Sequence, residues 1–251
     1  WTFIGWKRLN GRNSHCQTNN ILYHRAVVAI NVRGCDNFHK FLDAVLTLFY
    51  NLHIVQKKLK VVNKVNLMVT KIVEDGLTAV ENQLKEIVKS DVDVLQDAGL
   101  HIIKSGGKRL RPQLGFLAYL AAGGEDMQRV IPMSAAVEMV HTATLVHDDI
   151  NDHSMTRRGQ ITVHARWGRT FALLAGDYLF AKVYELMAPY PAEYNVIMAD
   201  ACIKLVEGET LQAAAAKAGS MDRETYKTII SRKTASLFEA AARMGAMLAD
   251  A

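Results

Sequence analysis

The segment His141-Thr-Ala-Thr-Leu-Val-His147-Asp148-Asp149-Ile-Asn-Asp152 places two histidines and three aspartates within twelve residues. Asp148 and Asp152 are four apart, so on a helix their carboxylates share one face, with Cβ atoms roughly 5–6 Å apart. Like charges so placed near a helix C-terminus repel each other and the helix dipole. A cation relieves that repulsion, and hard carboxylate oxygens suit Mg²⁺. His141 lies two turns earlier on the same face. Read alone, the Asp-Asp-x-x-Asp pattern is equally an acidic, solvated helix end.

Clustered cations favour the metal reading. Gly106-Gly107-Lys108-Arg109-Leu110-Arg111-Pro112 sets three basic side chains and two glycines just before an apolar run. Backbone amides at a helix start, together with Lys and Arg, form a diphosphate site. By itself such a loop is more often simply solvated. Arg157 and Arg158 follow Asp152 by five and six residues and add further anion contacts. Carboxylates on one side and clustered arginine on the other are what a metal-bound diphosphate requires.

These blocks closely resemble the trans-isoprenyl diphosphate synthases: Gly-Gly-Lys-Arg-Leu-Arg-Pro, then His-Thr-Ala-Thr-Leu-Val-His-Asp-Asp-x-x-Asp, then Arg-Arg-Gly. Ala175-Gly176-Asp177-Tyr178-Leu179, Glu207-Gly208-Glu209 with Gln212, and Lys233-Thr234-Ala235-Ser236-Leu237 continue the match in the family's order across about residues 66–251. The resemblance implies an all-α, isoprenoid-synthase-like bundle of long helices around a central cavity, assembled as a homodimer. It implies that Lys108, Arg111, His141 and Arg158 hold the diphosphate of isopentenyl diphosphate. Asp148 and Asp152 would ligate Mg²⁺ with Asp149 in support, and Arg157, Lys233 and Thr234 would contact an allylic diphosphate. The implied reaction is head-to-tail prenyl transfer: the allylic diphosphate ionises, the isopentenyl double bond attacks the carbocation, and a proton is lost. Ala143 and Thr144, one turn before the aspartates, would form the floor of the tail cavity, and their small size implies a product of C20 or longer.

The elements that position these residues read as helices. Half of the 251 residues are hydrophobic, 22% are charged and only four are proline, an ordinary globular balance that opposes an all-β fold. Val65, Val69, Ile72, Val73, Val80, Leu84, Ile87 and Val88 recur at helical spacing. Ser90-Asp91 offers an N-cap for a second helix through Ile103, and Pro112 opens a third over about Gln113–Ala122. Pro132 starts a fourth that runs to about Asp152. Further helices are expected over Ile161–Trp167, Thr170–Met187, Ala192–Ala216 and Arg223–Leu248, the last with a break near Lys233. No strand pattern is expected after residue 65. Some helices, such as Phe171–Phe180, are apolar nearly all round, as helices central to a bundle or buried in a subunit interface are.

Residues 1–65 form a separate, unassigned extension. Ten Lys/Arg against two Asp/Glu give it a charge of +8, so residues 66–251 carry −3 of the overall +5. A basic front end on a mildly acidic body argues against nucleic-acid binding by the body. Three scattered cysteines make neither a disulfide framework nor a zinc site and point to a reducing compartment. The stretch Phe41–Val55 is too short and too polar to span a bilayer. A cytoplasmic location is expected, with organellar targeting by residues 1–65 left open.

One departure from the family pattern stands out. After Lys233-Thr234 no second Asp-Asp-x-x-Asp follows before Ala251. The expectation is a synthase domain over 66–251 that lacks its C-terminal part. The alternative is a non-catalytic regulatory partner of a prenyl diphosphate synthase. Glu138-x-x-His141 also fits the helical motif of carboxylate-bridged di-iron bundles, but no second such pair accompanies it.

Overall fold

In the computed structural model, residues 60–249 are described. The basic segment 1–59, with the candidate span Phe41–Val55, lies outside them. Among the described residues nine α-helices run in chain order: α1 Lys60–Ile87, α2 Asp93–Lys104, α3 Leu110–Ala121, α4 Ile131–Asn151, α5 Val163–Trp167, α6 Arg169–Met187, α7 Ala192–Ala218, α8 Arg223–Ile230 and α9 Ser236–Ala249. A π-helical turn, Ser231–Ala235, joins α8 to α9 where the sequence suggests a break. Among the described residues no helix is long and apolar enough to cross a membrane.

Helix α4 is the central post. Its residues are buried on nearly every face, and it packs most extensively against α6 and also against α1, α3 and α9. Only Ala, Val, Met, Ser and Thr surround much of its middle, so neighbouring helices come close. The same logic brings α3 against α9: a Cβ on Gly245 would lie 2.3 Å from the Gly115 carbonyl oxygen. Met133, Met139, Met187 and Met244 fill the interior among Phe116, Tyr119, Leu179, Tyr194 and Leu237.

Two expectations need correction. Helix α2 starts at Asp93, because the Ser90 hydroxyl accepts the Val92 amide and Ser90 N–H is taken by the Gln96 side chain, which winds the chain into a turn first. A small antiparallel hairpin also exists, Thr156–Arg157 against Gln160–Ile161, joined by Arg158-Gly159. Both loop residues have positive φ, 52° and 77°, which is the I′ geometry that suits the twist of a hairpin. Strands of two residues are too short to leave an alternating pattern in the sequence.

Helices α6 and α7 carry apolar side chains on their outer faces. Phe171, Leu174 and Tyr184 are exposed on α6, and Val196, Ile203 and Val206 on α7. The near-uniform apolarity of α6 therefore serves a buried inner face toward α4 and an open outer one.

Candidate functional site

Three separate segments meet around the C-terminal half of α4. The loop before α3 enters through Arg109, whose backbone adopts φ 48° at the helix start. A left-handed arginine is costly, and its side chain supplies the compensation. Nε lies 2.5 Å from Glu81 Oε1 on α1, Nη1 donates to Glu138 Oε1 at 2.8 Å, and Nη2 donates to Ile103 O at 3.3 Å. Burial opposes the charge of Arg109, but the bonds to Glu81 and Glu138 outweigh it and hold its pKa above the ordinary value. Glu138 is thus the buried counter-ion of Arg109, which removes the carboxylate that the di-iron alternative would need.

The neighbours of Arg109 in this loop are placed differently from it. Lys108 is exposed and Arg111 is half-buried, its guanidinium 4.6 Å from the centroid of the Phe238 ring on α9. Burial, the largest effect, and the nearby Arg158 both lower the pKa of Arg111. The hairpin loop reaches over from the other side. Arg158 Nη1 lies 2.7 Å from where a Cβ on Gly107 would stand, so the second glycine of the loop makes room for this arginine.

His141 sits where these cations converge. Burial and then Arg111, Arg158, Arg109 and Arg157 push its pKa down to about 3. Burial is the larger cause, and the four guanidinium groups that add to it give this recess a positive potential, which is what an anion would find there. His141, Arg109, Arg157, Arg158, Glu138 and Asp149 line one recess between α2, α4 and the hairpin.

Two turns along α4 the sign reverses. Asp148 has its pKa raised to about 6, first by burial, then by Glu209 on α7 and by Asp152, with Lys233 and Arg157 pulling the other way. Asp152 is exposed at the C-cap, and the last turn of α4 contains no basic residue to offset the dipole. Asp149 is different: buried, it accepts a 2.7 Å bond from Arg157 Nε. Arg157 therefore stands between the halves, acting on both His141 and Asp148. Among the described residues no three His, Cys, Asp or Glu side chains converge to hold a metal ion by themselves. Asp148 and Asp152 nevertheless fit a hard divalent cation as a two-carboxylate site, being anionic and under-compensated.

The second cation cluster comes from the π turn. Lys233 Nζ pairs with the Glu209 carboxylate and donates to Gln212 Oε1 at 3.2 Å, while Thr234 is exposed beside it. Ala143 is wholly enclosed in the core, and half-buried Thr144 turns its hydroxyl back onto His141 O at 2.8 Å. His147 contacts Asp177 at 3.5 Å and stacks on Phe180, a structural use for all three. Two residues with clear roles here, Arg109 and Glu209, are absent from the candidate set drawn from sequence. The spacing Glu209-x-x-Gln212, one helical turn, is the available signal for Glu209.

Comparison with known proteins agrees with this geometry. The polyprenyl synthetase family matches residues 92–251. The chain is 38% identical over 179 residues to heptaprenyl diphosphate synthase component 2 of Geobacillus stearothermophilus, covering 70% of this chain and 55% of the relative. It is 37% identical over 183 residues to the geranylgeranyl diphosphate synthase of Sulfolobus acidocaldarius, again covering 70% and 55%. A polyprenyl synthase of Caulobacter crescentus, solved with calcium and isoprenyl diphosphate, superposes with a TM-score of 0.68 at 36% identity, over 73% of this chain and 56% of that one. The chain thus spans little more than half the length of these relatives. An all-helical body, a cationic recess and an acidic helix end in one order and one fold have a single explanation: the chain belongs to the polyprenyl synthetase family.

Proposed function

We propose that the chain provides the substrate-binding core of a prenyltransferase that joins isopentenyl diphosphate to an allylic diphosphate. The observation that carries this reading is the reversal of potential along one face of α4. His141 is held neutral by burial and then by four arginines, and about 10 Å further on, at seven residues of 1.5 Å rise, Asp148 is held above the carboxylate range by burial and then by Glu209 and Asp152. One half suits a diphosphate bound by cations alone. The other suits a diphosphate bound through a divalent cation.

In this reading Lys108, Arg111, His141 and Arg158 fix isopentenyl diphosphate, with neutral His141 free to donate a hydrogen bond. Asp148 and Asp152 hold Mg²⁺, which when bound neutralises charge on the allylic diphosphate as it leaves. The Caulobacter relative, solved with calcium and isoprenyl diphosphate, supports the use of a divalent ion. Lys233 and Thr234 meet the same diphosphate from the π turn, and Arg157, anchored on Asp149, adds charge between the two substrates. Negative charge grows on the departing diphosphate, so these preplaced donors stabilise the transition state more than the ground state. Asp149 acts by orienting Arg157. Thr144, small and half-buried one turn before Asp148, supports a product of C20 or longer, while Ala143 is enclosed in the core.

The proposal includes a homodimer formed through the outer faces of α6 and α7. Val196, Ala199, Ile203 and Val206 follow one another at helical spacing on the open side of α7, and an apolar stripe of this kind marks an interface. Sedimentation at several concentrations tests it; a strict monomer overturns the dimer, and a requirement for a second, different chain would align it with the component-type relative. The central test is calorimetric titration of the full chain with isopentenyl diphosphate, and separately with geranyl diphosphate with and without Mg²⁺. The reading expects both to bind, only the second strictly needing Mg²⁺. Failure of both to bind refutes it.

A further inference from the structure

Gly208 sits in the interior of the 27-residue helix α7, where glycine costs about 1 kcal/mol relative to alanine. The packing shows what occupies the space that a methyl group would take. A Cβ at position 208 would stand 2.3 Å from the backbone N of Lys233, 2.8 Å from its Cα and 2.9 Å from Arg232 Cβ. The two nearest are main-chain atoms of the π turn, which cannot rotate away as a flexible side chain could. Glycine at 208 is therefore what allows this turn to lie directly on α7.

Other contacts surround the same seat. Glu207 accepts from Arg232 Nη1 at 3.0 Å, and Glu209 pairs with Lys233, so the residues flanking Gly208 each take one base of the turn. The hydroxyl of Ser236, buried at the end of the turn, lies 2.6 Å from Arg232 O and 3.4 Å from Ala201 O on α7. It donates to Arg232 O, an acceptor that the widened π ladder offers to it. A π turn lengthens the helix register by one residue and re-aims the side chains that follow. Its position against α7 decides where the Lys233 ammonium and Thr234 hydroxyl stand relative to Asp148.

We propose that Gly208 and Ser236 are positioning residues that seat the π turn and thereby set the reach of Lys233 and Thr234 toward the allylic diphosphate. The inference rests on the reading above that Lys233 binds that diphosphate, and it adds residues that touch no substrate. It makes a distinction that general destabilisation does not: affinity for the allylic diphosphate should fall while affinity for isopentenyl diphosphate, bound on the far side of His141, stays unchanged.

The test is titration of the full chain with geranyl diphosphate plus Mg²⁺ and, separately, with isopentenyl diphosphate. Gly208→Ala is expected to weaken geranyl diphosphate binding on the order of tenfold, the worth of one charge-assisted hydrogen bond, and Lys233→Ala to do the same. In the double variant the two losses should not add, because Gly208 acts through Lys233. Should Gly208→Ala fail to fold, Ser236→Ala, which adds no atom, carries the same comparison with an expected loss of roughly threefold. Additive losses, equal losses for both ligands, or a fully retained affinity in the seat variants overturn the positioning role. If the unsubstituted chain binds no geranyl diphosphate, the functional reading itself fails and the inference falls with it. If Lys233→Ala weakens binding and the seat variants do not, only the inference is lost.

Discussion

Replacing Asp148 by asparagine should make this protein more stable at neutral pH while removing its metal-dependent binding. In the fold its carboxyl group titrates at about 6, with burial the main cause and Glu209 next, against an ordinary value near 4. The folded state therefore holds the proton more tightly than the unfolded chain. Below pH ~4 both states are protonated and no penalty exists; between about 4 and 6 the penalty develops, and above 6 it is complete. A shift of about two units corresponds to roughly 3 kcal/mol, and because the carboxylate is partly open to solvent, screening leaves about 1–2 kcal/mol. For a body of this size that is a rise of roughly 4 °C in Tm.

The comparison must be variant against parent across pH, since His141 acts in the opposite sense. Its pKa is lowered to about 3, so the unfolded chain takes up a proton that the fold refuses, and stability falls as pH drops from about 6.5 toward 3. That slope is common to both proteins and cancels in the difference. Thermal melts at pH 4.5 and 7.5 should show Asp148→Asn more stable than the parent at both, by a clearly smaller margin in acid than at neutral pH. Calorimetry of the same sample should show loss of Mg²⁺-dependent geranyl diphosphate binding. A variant that is less stable than its parent at pH 7.5 would refute the electrostatic account of this helix end.

Further outcomes follow from the same structure. Arg109→Met strands Glu138 in the interior and should cost about 3–5 kcal/mol in chemical denaturation; adding Glu138→Leu should recover a large part of it, and no recovery would mean that the ion pair is not the cause. The imidazole of His141 should show no titration between pH 5 and 8 by NMR in the unliganded chain, whereas a midpoint near 6.5 would falsify the cationic recess. Gly245→Ala should lower stability by about 1–3 kcal/mol through overpacking against the Gly115 carbonyl, measured by thermal melt, and an unchanged Tm would contradict the close approach of α3 and α9.

Helix α4 was legible because local chemistry and tertiary role coincide in it. Pro132 marks its start, and Asp148 and Asp152 lie on one face by spacing alone. The bounds of α6 and α7 and the end of α3 followed for a similar reason, being apolar runs closed by glycine or proline, whereas α3 starts at Leu110, three residues before the expected Gln113. The hairpin was not legible, since two-residue strands carry no period; only the positive-φ pair Arg158-Gly159 specifies it. The start of α2 was misplaced because Ser90 and Asp91 are cap residue types, yet the serine hydroxyl is used one turn too early.

The site shows the same division. Lys108 and Arg111 lie in one short basic stretch and Arg157 and Arg158 in another, and like charges in small clusters announce themselves. Arg109 is chemically identical to Arg111 and only two residues away, yet one is a buried strut between two acids and the other lies half-buried against the Phe238 ring. What separates them is a backbone φ of 48° and two acids, 28 and 29 residues away in opposite directions along the chain. No local pattern encodes that. Glu209 and Gly208 are hidden for a related reason: their partners, Asp148 and the π turn, are reached only after α7 has packed. What they leave in sequence is the block Glu207-Gly208-Glu209 and, within it, a glycine in mid-helix. Its cost to the helix is explained only by the main chain lying against it, which is why substitution there should be felt at Lys233 rather than in α7.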